Sequence, residues 1–352
     1  MVDKVLGRIS SHAVTSPYCC AAERAQQTHP DEASTPADQV AVRAESPVDV
    51  ERVKKLFLEL CQIPGPSFDE RKVADTIKQK LADLGYQARE DDAGKKIGGN
   101  TGNLLVDVPG TVMDAPPLIF LCHMDTVPLA VGDKPHIKDG VIYSDGRHAL
   151  GGDDRAGNAE MLEMLRLLKE KNIPHPPMQI IFTVAEEAGL LGSQALDPKD
   201  VHGKLGFEAD FFHPNEILWG VEWGPDGPVP GDKPHPRNPA EQFLEDFTKQ
   251  SIRDIGLTPK KWEMDDASSD SASIRGMGIP AIIIGAGEQD VHTRHEHIAV
   301  NDLAKATELL LQIIANANKY KLDADGNIVA RTELRPATAA DQPWLMAGER
   351  AA

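Results

Sequence analysis

Met178-Gln-Ile-Ile-Phe-Thr-Val184, followed at once by Ala185-Glu-Glu187, is the stretch on which the reading of this chain turns. Seven residues of largely apolar, β-branched character read as a short strand. The strand runs directly into two adjacent carboxylates. Neighbouring glutamates at a strand end repel, and if both are buried one tends to take up a proton unless a cation stands close by. A solvated loop pair is the ordinary alternative. Otherwise the two would divide their labour, one binding metal and the other taking a proton from water.

Similar short runs lie on either side. Asn103-Leu-Leu-Val-Asp-Val108, Leu118-Ile-Phe-Leu-Cys122, Lys204 to Ala209 and Ala281-Ile-Ile-Ile284 read as strands. Between them come helical patterns. Val50, Val53, Leu56, Phe57 and Leu60 mark one face of a first helix. Ser67-Phe-Asp-Glu70 has the spacing of a capping box for a second, which Gly85 would stop. Further helices are expected over Arg155 to Lys171, Gly189 to Leu196, Ala240 to Ile255 and Asn301 to Tyr320. Apolar strands alternating with helices predict an α/β fold, a three-layer α/β/α arrangement around a mostly parallel mixed sheet covered on both faces. In such sheets, sites form at the carboxyl ends of strands.

That rule gives weight to the residues at and just past each strand end. His123 and Asp125 end the second, Glu186 and Glu187 the third and Asp210 the fourth; His292 lies in the loop after the last, and Asp153-Asp154 open a helix. Each has an everyday reading. His123 with Asp125 can be a buried histidine–aspartate pair, Asp153-Asp154 can cap a helix, and Asp290-Val-His-Thr-Arg-His-Glu-His297 can be a surface loop. Taken together, a divalent metal pair accounts for them better. Asp125 would then fix the His123 ring, and Asp153 could bridge two cations with one oxygen to each.

The bulk properties narrow the partners. A formal charge of −18 argues against a nucleic-acid surface, which needs a basic face. Cys19, Cys20, Cys61 and Cys122 form neither a disulfide framework nor a CxxC zinc pattern. No run of about 18 apolar residues suggests a membrane span, and no targeting segment is evident, so cytoplasmic localisation is expected. Residues 1–46, poor in periodicity and rich in small and polar residues, are expected to be a disordered extension, and 333–352 a loose tail. The catalytic domain would span 47–332. Seven prolines between Pro214 and Pro239 predict loop rather than regular structure there.

The motifs His123-Met-Asp-Thr-Val-Pro128, Ile137-Lys-Asp-Gly140, Leu150-Gly-Gly-Asp-Asp-Arg-Ala-Gly157, Lys169-Glu-Lys-Asn-Ile-Pro-His175, Glu186-Glu-Ala-Gly-Leu-Leu-Gly192, Ser269-Asp-Ser271, Gly278-Ile-Pro280 and His292-Thr-Arg-His-Glu296 resemble the peptidase T-like branch of the zinc aminoacylase and carboxypeptidase superfamily of dizinc exopeptidases. The resemblance implies His123, Asp153 and Asp210 on one zinc and Asp153, Glu187 and His292 on the other, with Glu186 as general base and Asp125 orienting His123. It also implies a cis peptide between Asp153 and Asp154. Cobalt or manganese could stand in for the two zinc ions. Members of this branch carry a lid domain, which mediates dimerisation, after the position of Asp210. Only 57 residues, 211–267, separate Asp210 from Ser268 here. A segment of roughly a hundred residues, the size of a small domain, is therefore expected to be missing, with 211–260 a shortened proline-rich replacement. His213, His235, Arg237 and Arg253 are the available substitutes for the lid's histidine and arginine.

The expectation is thus a metallopeptidase, an aminopeptidase on short peptides of tripeptidase type, in which dizinc-activated water attacks the amide. Hydrolysis of another amide such as an N-acyl amino acid, or a metal-binding but catalytically weak lidless paralogue, are the alternatives. Without the dimerising lid the chain is expected to be a monomer, and neither nucleic acid nor membrane is expected as a partner.

Overall fold

The computed structural model describes residues 46–219, 223–224, 227–228, 237–263 and 268–331. Apart from Ser46, the expected N-terminal extension lies outside them, as does the tail at 333–352.

Chain order follows the expected alternation. The first helix, α1 (Val50–Cys61), starts at Asp49, whose side chain accepts the Arg52 N–H, and it buries Val53, Leu56, Phe57 and Leu60. Each such side chain contributes on the order of 1.5–3 kcal/mol on leaving water. The second, α2 (Arg71–Asp83), ends before Gly85, whose φ of 77° lets the chain reverse. The expected capping box does not form. Glu70 is itself the cap residue and makes no side-chain cap bond. Its Oε1 instead accepts the N–H groups of Phe68, at 2.9 Å, and of Ala185, at 3.0 Å. A tertiary demand from the end of a distant strand has outcompeted the local one.

The main sheet has eight strands: β1 (Arg89–Glu90), β2 (Leu104–Val108), β3 (Leu118–His123), β6 (Met178–Thr183), β7 (Leu205–Ala209), β8 (Glu216–Trp219), β9 (Lys260–Glu263) and β10 (Ala281–Ile284). Their order is β1-β2-β6-β3-β7-β10-β8-β9. The central run β6-β3-β7-β10 is parallel throughout, while β2 with β6 and β8 with β10 pair antiparallel. A second sheet of four short strands includes β4 (His136–Lys138), β5 (Val141–Tyr143), β11 (Glu288–Gln289) and β12 (His297–Ala299).

One face of the main sheet is covered by α1, α3 (Gly152–Glu170), α4 (Pro239–Asp254) and α6 (Val300–Ala317), which pack on one another around the larger core cluster. On the other face Leu105, Ile119, Leu121 and Ile181 meet Leu196, Val201 and Ile274, the last from the short helix α5 (Ser271–Gly276). Both faces of β3 are therefore buried, which is why Leu118–Cys122 has no polar side. The result is the expected α/β/α sandwich. No helix of the described residues is long and apolar enough to cross a membrane.

The reading of 214–239 as structureless needs correction. Residues Glu216–Trp219 form a buried strand, with Ile217 and Leu218 opposite Ile284 and Ile283. Pro214 lies before that strand, where its missing N–H removes no ladder bond. With α4 and β9, the segment after Asp210 extends the main sheet and covers it.

Candidate metal centre

At the carboxyl ends of the parallel strands the polar residues converge. His123 closes β3, and its backbone N–H donates to Asp154 Oδ2 at 3.0 Å. The His123 ring Nε2 lies 2.8 Å from Asp153 Oδ1 and 3.8 Å from Asp210 Oδ1. On the far side of Asp153, Oδ2 is 2.9 Å from His292 Nε2, which in turn is 2.7 Å from Glu187 Oε1. One carboxylate thus spends each oxygen on a different imidazole. Two groups result, His123 with Asp153 and Asp210, and Asp153 with Glu187 and His292, each with its donor atoms within 4.8 Å of one another.

The local backbone explains how the chain reaches this arrangement. Asp153 and Asp154 have non-helical torsions inside the first turn of α3, and the peptide between them is cis. Ala185 and His292 both adopt positive φ, 52° and 63°, turning the chain sharply where β6 ends and where the loop after β11 delivers its histidine. Such conformations are uncommon for residues other than glycine and tend to gather at functional sites.

A framework of acceptors holds the donors. Asp125 is fully buried and accepts Ser67 Oγ–H at 2.7 Å and the N–H groups of Glu186 and Glu187 at 3.0 and 3.2 Å; its Oδ1 is also 3.4 Å from His123 Nδ1. Glu296 accepts the N–H of Gly151 at 2.9 Å and of Asp153 at 3.1 Å. Glu208, on β7 two residues before Asp210, accepts the N–H groups of Asp270 and Ser271 at 2.9 and 2.7 Å. Ser269 Oγ sits 2.7 Å from Glu208 Oε1 and 2.5 Å from Asp210 Oδ2, so two carboxylates share one hydroxyl. Sequence patterns give Ser67, Glu70, Glu208 and Glu296 no part in this framework; of these, only Glu296 lies in a motif that points here.

The electrostatics show a surplus of negative charge. Burial, with Asp153 close by, pushes the Asp210 carboxyl up to about 7. Burial also raises Glu186 well above the usual carboxylate range, and Glu187 less far. Glu208 and Asp270 rise to about 7, chiefly through burial and then through neighbouring carboxylates, Asp210 for the first and Glu208 for the second. Asp153 goes the other way. Although burial opposes its charge, the His292 and His123 imidazoles on either side hold it below the usual range. Asp125 is likewise held down against burial by His123, Ser67 and the Glu186 N–H.

The donor set suits divalent cations. Imidazole nitrogen and carboxylate oxygen together are the ligands of zinc-type ions. The Glu187 carboxylate faces the His292 imidazole, Oε1 to Nε2 at 2.7 Å, inside the second group. Glu186 belongs to neither three-residue group.

The proposed lid substitutes are engaged or remain at the surface. His213 lies 3.3 Å from Asp302. Arg237 pairs with Glu245 and Glu263 and stands over the Trp219 ring. Arg253 is exposed on α4, and His235 lies outside the described residues.

Fold and cluster define an α/β/α protein whose parallel strand ends gather a carboxylate–imidazole site of the kind that holds divalent cations. A family model described as Peptidase family M20/M25/M40 matches residues 119–316, and the chain belongs to that family. It is 39% identical over 163 residues to the uncharacterized protein YqjE of Bacillus subtilis, covering 46% of this chain and 44% of that protein. It is 28% identical over 179 residues to peptidase T of Pectobacterium carotovorum, covering 41% and 42% respectively. The chain thus spans less than half the length of these curated relatives. Among solved structures, aminopeptidase PepT from Bacillus cereus superposes with a TM-score of 0.69 at 26% identity, over 77% of this chain and 100% of that one. The resemblance to the peptidase T-like branch read from the motifs therefore holds.

Proposed function

We propose that this chain is a metal-dependent exopeptidase, an aminopeptidase acting on short peptides. The observation that carries the reading is the division of labour at the strand ends. Asp153 links His123 to His292 through separate oxygens, while Glu186 stands beside Glu187 but outside both donor groups. In this reading His123, Asp153 and Asp210 hold one cation and Asp153, Glu187 and His292 hold a second, both of zinc type. Bound there, the pair would supply positive charge that lowers the proton affinity of water and polarises a carbonyl oxygen.

The chain's own residues supply the rest. Glu186 has no place in either donor group and an elevated proton affinity, so its carboxylate can take a proton from the attacking water and return it to the leaving amine nitrogen. Asp125 fixes the His123 ring and, through the Glu186 and Glu187 N–H groups, the turn on which the base sits. Glu296 fixes the approach to Asp153. The similarity to peptidase T and to the Bacillus cereus aminopeptidase supports a peptide amide as substrate and its amino end as the point of attack.

The test combines metal analysis with hydrolysis of di- and tripeptides, wild type beside Glu186→Ala. At least two cations per chain and tripeptide turnover lost in the variant, with its metal content intact, are expected. Two cations with no turnover on any peptide would leave a metal-binding, catalytically weak protein. Fewer than one cation per chain would sink the ligand assignment.

A further inference from the structure

A third group of metal-type donors lies outside the centre. Asp133 follows the single helical turn at Pro128–Ala130, and Asp145 and His148 belong to Ser144-Asp-Gly-Arg-His148, which leads from β5 to α3. One donor atom from each of the three comes within 4.8 Å of the others. Asp133 is only 7% exposed. Its Oδ1 accepts the Asp145 N–H at 2.8 Å. Its Oδ2 is buried and accepts no hydrogen bond. A buried carboxylate oxygen without a partner is costly, and it needs either a proton or a cation.

The surroundings favour the cation. Asp145 turns its carboxylate on the backbone N–H groups of Arg147 and His148, at 2.8 and 3.0 Å, and on His148 Nδ1, at 3.0–3.1 Å. The adjacent Arg147 guanidinium approaches Asp145 at 3.1 Å but is largely in solvent and does not reach Asp133 Oδ2. The His148 imidazole is paired with Asp145, and Asp133 brings a second carboxylate within 4.8 Å of both. With an imidazole and two carboxylates as donors, the set matches a zinc-type ion better than calcium or magnesium, which favour all-oxygen shells.

We propose that Asp133, Asp145 and His148 form a separate site for one zinc-type divalent cation, built where the loops that lead into the central cluster are joined. Position gives the site its consequence. Ala149 N–H donates to Leu129 O at 3.2 Å, and Ser144 Oγ–H to Arg294 O at 2.8 Å, so three loops meet here. One leads on to Asp153 and another carries His292. A cation would clamp the first of these to the loop after His123 and stiffen the rim of the centre without touching its ligands.

Equilibrium dialysis of the chelator-stripped full chain against zinc, with bound metal counted, tests this. Wild type should hold one more equivalent than Asp133→Asn or His148→Gln. The His123→Ala/His292→Ala double variant should keep one equivalent and lose it when His148→Gln is added. If Asp133→Asn fails to fold, His148→Gln decides, because its side chain is partly exposed. Wild-type zinc content in a folded His148→Gln would overturn the proposal, as would no zinc in a folded double variant. A wild type that binds a single zinc, lost on His148→Gln, would uphold this site and refute the central ligand assignment. Calcium or magnesium bound in preference to zinc would overturn the assigned metal class.

Discussion

The Asp125 carboxylate accepts the backbone N–H of Glu186 at 3.0 Å, across sixty-one positions of sequence. The same side chain takes the Glu187 N–H, the Ser67 hydroxyl and the approach of the His123 ring. One aspartate therefore ties the end of β3 to the end of β6, with a donor imidazole on one strand and the two glutamates on the other. An asparagine there would keep one acceptor oxygen and turn an NH2 group toward N–H donors. Asp125→Asn should weaken the binding of zinc about 10–100-fold and lower kcat along with it. Competition with a chromophoric chelator measures the first. An unchanged affinity would mean that Asp125 serves the backbone alone.

Metal removal should cost stability as well as activity. The buried carboxylates around Asp153 repel one another, and burial penalises each charge. Cations that bind only the folded chain stabilise it by mass action, about 2.7 kcal/mol at a hundred times Kd. Chelation should lower the Tm by several degrees and zinc should restore it. The shift should shrink in His292→Ala, which lacks a donor of one group. A Tm indifferent to chelator would argue that the cluster balances its charge with protons.

How far the sequence carried this picture depends on where each residue finds its partner. The strands were legible because β3, β6 and β10 are buried on both faces, which forces continuous apolar runs. The candidate donors His123, Glu187 and Asp210 were legible because they stand at or just past strand ends, whereas Asp153, in the first turn of α3, and His292, in a loop, were drawn in through their motifs. What escaped were groups whose partners are far away in the chain. Glu70 has a capping spacing but accepts the Ala185 N–H; Glu296 accepts the Asp153 N–H; Glu208 holds the turn at Asp270 and Ser271. β8 was hidden by the prolines around it, although none falls within Glu216–Trp219. The three-residue group at Asp133 left no pattern to read, since its members come from two separate loops.

Gly157 offers a test of the packing beneath the centre. A Cβ built there would stand 2.4 Å from Asp154 Oδ1 and 2.5 Å from Ala209 O, the second a backbone atom with little room to yield. The helix bearing Asp153 can approach the end of β7 only because this position has no side chain. Its N–H also donates to Asp154 Oδ1 at 2.8 Å. Gly157→Ala should destabilise the fold by about 1–3 kcal/mol, read by denaturant unfolding, and displace Asp154 from the His123 N–H. Loss of activity greater than the loss of stability explains would show that the displacement reaches the donors. A neutral substitution would mean that the helix and strand can separate freely.

Far from the centre, Glu90 gives a dependence on acidity that can be signed in advance. The Arg71 guanidinium, with lesser help from Lys78 and the Gly102 N–H, holds the Glu90 carboxyl well below its ordinary value of 4.5. Arg71 Nη2 lies 2.5 Å and Lys78 Nζ 2.7 Å from its two oxygens. Because the folded pKa lies below the unfolded one, the unfolded chain binds more protons as pH falls through that interval. The contribution is therefore complete above about pH 5 and is lost progressively below about 4.5. The partners are partly exposed, so the gain is about 1 kcal/mol, or about 2–4 °C in Tm. Glu90→Gln should lower the Tm by that amount at pH 7, and the difference from wild type should narrow as pH falls below about 4.5. Scanning calorimetry at pH 7 and pH 3 decides it: a difference that does not narrow at pH 3 would trace to lost packing or to the Thr101 and Gly102 hydrogen bonds, and not to charge.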